Sequence, residues 1–345
     1  KDYQAGKINF IVKFKSGTPP KEKINFASVV YEIDEEEEKK LCEKCLSTKI
    51  ILQYGGLSNI KTAPAGTFAS ITTATENVMY KIEDYYGDSY YYRGAKDYVK
   101  NNLIYAGYQW KILRINGDGT LRIIYNGTCP NNSCTINSTG ASTSMGYSVY
   151  NTINNVAKYG GYMYQTAIEN DTPSTIKTFL DNWYENNIAG TVYEQYISDT
   201  LFCNDRSEPG SANYYGAYTR ININNPAPIL KCSNKNDIFA EINTTYSNGK
   251  LTYPIGLITA DEGALAGLVE NRENATNFLY NNADYWTLSP DYFDGRVRFN
   301  FVHSVGYLYA YFVNDSKGVR GVINLKASTQ ATGTGTTTDP FVVKV

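Results

Sequence analysis

The sequence predicts an α+β protein in which twisted antiparallel sheets carry two helices, preceded by a small N-terminal α/β module. Three observations support this. Asn116-Gly117-Asp118-Gly119 separates two apolar runs, Leu103 to Ile115 and Thr120 to Tyr125, and Asn-Gly in that position is a strong hairpin signal. Residues 173–189 and 259–269 carry helix boundary chemistry. The stretch from Tyr285 to Lys326 alternates with period two. Val297, Phe299 and Phe301 share one parity, and Arg296, Arg298 and Asn300 share the other. After a bend at Ser304 to Gly306, Leu308, Ala310 and Phe312 oppose Tyr307, Tyr309 and Tyr311. Two adjacent strands are therefore expected to present Arg, Asn and Tyr on a wet front over a dry back.

In chain order, Lys7 to Phe14 reads as a strand ending in a Gly17 to Pro20 turn. Asp34 and the four Glu after it, followed by Lys39 and Lys40, suit a helix dipole, with Leu41, Cys45 and Ile50 facing inward. Gly55 to Thr75 is rich in Gly, Ser, Thr and Ala, so a boundary is expected near residue 75, between a module at 1–75 and a domain at 76–345. Trp110, Ile112 and Leu113 should pack with Leu121, Ile123 and Ile124. Residues 126–160 read as a surface excursion. The first helix is capped by Asp171 or Thr172, with Pro173 at its first position and Gly190 after its end; Ile176, Phe179, Leu180, Trp183 and Ile188 form its apolar stripe. The second opens with the capping-box pattern Thr259-Ala260-Asp261-Glu262, with Leu265, Leu268 and Val269 inward. Residues 204–256 read as long loops with short strands, and loops of that length suggest ligand contact or assembly. Thr332 to Asp339 reads as flexible, and Pro340 to Val343 as a closing edge strand.

Composition narrows the function. A net charge of -2 with dispersed Lys and Arg excludes nucleic-acid binding, and no stretch is apolar for long enough to cross a membrane as a helix. The 32 tyrosines, beside abundant Asn, Thr, Ser and Gly, resemble a paratope palette, which many bacterial surface proteins share. The six cysteines fall into the local couples Cys42/Cys45, Cys129/Cys134 and Cys203/Cys232, as in an exported protein. Cys42-Glu-Lys-Cys45 can be read as a redox motif, half a zinc site or a structural disulfide. No thioredoxin-like setting or second ligand pair is visible, so the disulfide is favoured.

The Tyr-Trp-x-Leu-Ser-Pro start at Tyr285 and the Gly-Val-Arg-x-Val-Ile-Asn-Leu end at Leu325 resemble the C-terminal core of the C-type lectin-like fold. This core is shared by formylglycine-generating enzymes and by the variable proteins of diversity-generating retroelements. The run from about Tyr90 to Val343 is similar to secreted proteins of gut Firmicutes. In such variable proteins a retroelement rewrites adenines in a short C-terminal stretch, and Asn codons so mutated never yield Lys, Glu, Gln, Met or Trp. None of these five occurs from Asp291 to Ser316.

The resemblance implies an exported cell-surface protein of adhesin or receptor type that takes a protein or glycan on another cell, a phage or a host surface. Its hypervariable binding face would comprise Asp291, Tyr292, Asp294, Arg296, Arg298, Asn300, His303, Tyr309, Tyr311 and Asn314. Tyr would supply contact area, Arg charge-assisted hydrogen bonds, and Asp and Asn rim contacts. An ordinary exposed antiparallel sheet also accounts for a Tyr-rich segment. A subunit of a pilus or surface filament, self-assembling through residues 1–75, is the alternative function, and an enzyme on the same fold ranks last. Formylglycine-generating enzymes rely on a late cysteine pair, whereas the last cysteine here is Cys232. His303 has no placed partner, and no nucleophile-elbow, dinucleotide or phosphate-loop pattern occurs. The calcium triplets of sugar-binding lectins are missing too; Glu208-Pro209-Gly210 lacks the third oxygen ligand. No cofactor is expected, and calcium has no supporting motif.

Overall fold

The computed structural model describes residues 43–164, 170–208, 213–222 and 224–345. The strand expected at residues 7–14, the acidic helix start, Leu41 and Cys42 lie outside them, and with Cys42 the Cys42/Cys45 bridge. Cys45 itself is buried.

Residues 42–345 form one compact unit of mixed α and β structure, mostly sheet. The opening helix α1 (Leu46–Gln53) buries Leu46 and Ile50, and its Leu46 amide donates to the Thr329 carbonyl. Ile60 joins the same core, and Lys81 N–H donates to Lys61 O. The segment from Gly55 to Thr75, whose composition suits a linker or a packed connection, is thus packed against the first sheet. Small residues there permit close approach as readily as they permit flexibility.

The first sheet contains β1 (Asn77–Asp84), β2 (Gly87–Gly94), β3 (Asn102–Tyr105), β4 (Tyr108–Ile115) and β5 (Leu121–Thr128). The β4–β5 hairpin turns where Asn-Gly places it, with Gly119 at φ 81°, a region that costs an L side chain strain. β4 is buried along nearly its whole length, so Trp110, Ile112 and Leu113 meet Leu121, Ile123 and Ile124 in the core. The second sheet has β6 (Tyr147–Val149) at one edge. It then collects β7 (Tyr285–Phe293), β8 (Val297–Val302), β9 (Leu308–Phe312) and β10 (Ser316–Gly318), in the order β9-β8-β7-β10-β6. The chain returns to the first sheet with β11 (Val322–Leu325) on β5, then β12 (Ala331–Thr332) and β13 (Phe341–Val343). β13 lies between β3 and β12 and runs parallel to β3, so it is an interior strand and not the expected edge. Neither sheet closes on itself.

α2 (Thr175–Asn187) starts two residues later than expected. Its cap is Ser174, whose hydroxyl accepts from Lys177 N–H at 3.2 Å, while Pro173 pairs with Met163 in a short ladder. Ile176, Leu180 and Ile188 are buried as expected, whereas Phe179 and Trp183 are half-buried. A short helix, α3 (Gly216–Ile221), occupies part of the region read as loop. α4 (Ala260–Leu265) carries both bonds of the Thr259–Glu262 capping box.

Asp261 and Glu262 do more than start that helix. Glu262 is buried against Arg114 and Arg122, Arg114 also reaches Asp84, and Arg220 joins Asp261 to Asp205. Burial pushes the Glu262 carboxyl up, but the two guanidinium groups outweigh it and hold the group below its usual range. The disulfides Cys129–Cys134 and Cys203–Cys232 form between the expected neighbours, with Cα separations of 5.2 and 5.8 Å. Among the described residues no helix is long and apolar enough to cross a membrane.

Candidate ligand-binding site

β7, β8 and β9 form the first part of the segment singled out in the sequence, but the two expected faces are redistributed. Cross-strand partners share a face. β8 and β9 pair Arg298 with Phe312, Phe299 with Tyr311, Asn300 with Ala310, Phe301 with Tyr309 and Val302 with Leu308. Tyr309 and Tyr311 therefore stand on the Phe299/Phe301 side, opposite the side of Arg298 and Asn300. A front carrying Arg, Asn and Tyr together required Arg298 to pair with a tyrosine. The turn prevents it: His303 N–H donates to Tyr307 O, and Gly306 N–H returns to His303 O. Gly306 adopts φ 86°, and a Cβ there would lie 2.3 Å from Asn274 O, so only glycine fits.

The Arg298 side is a concavity of about 110 Å³ lined by Tyr218, Glu270, Asp291, Tyr292, Arg298 and Asn300, with Tyr309 and Ala310 at its edge. Its floor is built from β7 and β8. Asn300 is 1% exposed and Asp291 5%, so both are floor groups and not the expected rim. Asn300 Nδ2 donates to Asp291 Oδ1 at 3.1 Å, and Thr287 Oγ1 donates to Asn300 O at 2.7 Å. The loop before α3 covers this end of β7: Tyr215 N–H donates to Asp291 O, and Tyr214 bridges Tyr292. Burial pushes the Asp291 carboxyl up to about 7; Glu270 adds to the rise, against the opposing Asn300 hydrogen bond and Arg298 charge.

The wall is aromatic. The Tyr214 and Tyr218 rings stack at 4.1 Å, and Tyr292 meets them at 5.7 and 6.3 Å. Arg298 lies over the rings of Tyr292 and Phe312 at 4.7 and 4.4 Å and donates to Asp294 Oδ2 at 2.9 Å. Its Nε is buried and has no hydrogen-bond partner among the described residues. A guanidinium packed on two rings and bonded to a carboxylate has lost much of its rotamer freedom in advance. Arg296 is exposed and covers Phe312 at 3.9 Å.

Of the remaining expected residues, Tyr309 alone lines this concavity, at its edge. By parity Tyr309 and Tyr311 belong to the opposite side, where they are 42% and 41% exposed. There the Lys317 ammonium sits 3.9 Å over the Phe301 ring and pairs with Asp284 and Asp315. His303 stacks on Tyr307 at 4.5 Å, and its Nδ1 accepts from Val305 N–H, which makes it a turn residue. Asn314 is exposed and accepts from Asn154 Nδ2. Tyr214, Tyr218 and Glu270 were missed, since they come from outside the alternating segment. The signal available for two of them was the length of the 204–256 loop region.

A second cleft, beside the ion pairs of Glu262 with Arg114 and Arg122 and of Asp261 with Arg220, has about 30 Å³ of free volume, room for one or two waters. Its charged groups serve one another. Comparison of the chain with family models, curated proteins and solved structures found no match. What the concavity offers is a preorganised cation, a protonatable carboxyl, an amide and stacking surface, the makings of polar ligand recognition.

Proposed function

We propose that this chain is an exported ligand-binding protein of adhesin or receptor type, with a C-type lectin-like fold and a diversified segment at about 291–316. The ligand is a protein or glycan on another cell, a phage or a host surface, taken in the concavity between Tyr218, Asp291, Tyr292, Arg298 and Asn300. The observation that carries this reading is Arg298, packed on two rings with no hydrogen bond to its Nε among the described residues, in one concavity with a buried Asp291–Asn300 pair. Two disulfides suit an oxidising location. Half of the expected variable positions fit the reading as well: Asp294, Arg296, Tyr309, Tyr311 and Asn314 are exposed, while Val297, Phe299, Phe301 and Leu308 between them are buried. Such a scaffold tolerates exchange of the first set without loss of the second.

Binding is tested by screening the purified chain on glycan and cell-surface protein arrays, then repeating the positive hits with Arg298→Ala and Tyr218→Ala. Each variant should lose at least about 2 kcal/mol of affinity if it is a central contact. In parallel, the combined change of Asp294, Arg296, Tyr309, Tyr311 and Asn314 to Ala should leave stability within about 1 kcal/mol. Retained binding in both single variants would sink the site. The diversified reading has its own check: DNA near the gene should hold a near-copy of the region encoding 285–326, differing at adenines and beside a reverse transcriptase.

A further inference from the structure

On the first sheet, away from the concavity, lies a cavity of about 240 Å³ whose lining includes Lys96, Lys111, Asn126, Ser138, Thr139 and Asn281. Lys111 projects from β4 and is 6% exposed. Among the described residues its ammonium has one hydrogen bond, to Asn102 Oδ1 at 2.5 Å, and no carboxylate within ion-pair distance. A lysine ammonium carries three donors, so two are left over. Arg320, fully buried beside it, is also served by neutral groups alone. Its Nε donates to Tyr125 O, Nη1 to Leu279 O and Nη2 to Asn126 Oδ1, and its guanidinium sits 4.7 Å over the Tyr285 ring.

This is an exception in the molecule. Arg93, Arg114, Arg122, Lys177, Arg206 and Arg220 are each shielded from solvent beside a carboxylate. Two buried cations side by side without an anion are costly, because desolvation and mutual repulsion have nothing to offset them. Both effects, burial first, pull the Lys111 amine down to about 8; Asp97, exposed at the cavity mouth, only partly opposes them. The lining pairs two ammonium groups with one carboxylate, Asp97, and otherwise carries neutral amide and hydroxyl groups. Asn126 Nδ2 and Ser138 Oγ make no hydrogen bond within the described protein, and Lys96 stands at the wall, 5.1 Å over the Tyr280 ring.

We propose that this cavity binds a small oxyanion, free phosphate or sulfate or the carboxylate of a sugar acid, held by Lys111 and Lys96 with Asn126 and Ser138 as neutral donors. The volume admits several waters, hence a compact anion or one monosaccharide. The site is independent of the aromatic concavity and does not rest on its assignment.

The test is calorimetric titration of the full chain with inorganic phosphate, sulfate and galacturonate, at constant ionic strength against chloride. Saturable binding of one equivalent of at least one of them is expected. Tighter binding of galacturonate than of the inorganic ions would mark a sugar-borne carboxylate, and the reverse a free ion. Lys96→Ala should weaken binding about tenfold and Lys111→Met about a hundredfold or more. Asn126→Asp places a carboxylate beside Arg320 and should suppress anion binding while raising the melting temperature in chloride, which tests the site even if Lys111→Met does not fold. Absence of saturable binding for all three probes would overturn the proposal, as would wild-type affinity in Asn126→Asp.

Discussion

Asp291 shows what one residue inherits from its surroundings. Parity along β7 says nothing of the Tyr214–Tyr215 loop that covers it, and that cover is what raises its carboxyl to about 7. The folded value lies above the ordinary 3.8, so between these two the native state holds a proton that the unfolded chain has released. Stability therefore falls as pH rises through that window. Asp291→Asn keeps an oxygen for the Asn300 amide and removes the charge. It should raise stability by about 2 kcal/mol near pH 8 and change little near pH 4, as thermal melts at the two pH values will show. Asn300, on the other hand, was legible as a member of the site, since it shares a parity with Arg298; only its depth was not.

At the scale of elements, local chemistry located most of what formed. The Asn-Gly turn, the Thr259–Glu262 box and the alternation of β9 each depend on residues within a few positions of one another and appear where they were read, whereas β8 is buried at every position but Arg298. The start of α2 moved because a buried serine hydroxyl one residue beyond Pro173 reaches the Lys177 amide. Ser174→Ala should cost about 1 kcal/mol, and Thr172→Ala almost nothing, as urea titrations would separate. The tyrosines of β9 illustrate the limit. Alternation within β8 and within β9 was legible, but their shared faces depend on the pairing of Val302 with Leu308 across a turn, and a shift of one residue would exchange every side chain. The expected single front is therefore two surfaces, an aromatic concavity with Arg298 and an exposed Tyr309–Tyr311 edge.

For the molecule as a whole, the ion network ties the first sheet to α4 and α3. Arg114 and Arg122 on neighbouring strands converge on Glu262, which lies 148 and 140 positions away in the chain. Glu262→Gln leaves the buried Arg122 without its carboxylate and Arg114 with Asp84 alone, and should cost about 3 kcal/mol at neutral pH. Because the folded value of Glu262 lies below its ordinary one, its stabilising contribution is present above the ordinary carboxylate range. It is lost as pH falls through the folded value, so wild type and variant should converge in acid, as melts across that range would show. By itself the amino-acid order settled the α+β character, the hairpin, the helix caps and two disulfides between near neighbours, because turn chemistry, capping and periodicity act over a few residues. Tertiary structure alone decided the cross-strand register, the loop that buries Asp291 and the partners of each buried charge, because these depend on groups far apart in sequence meeting where water has been excluded.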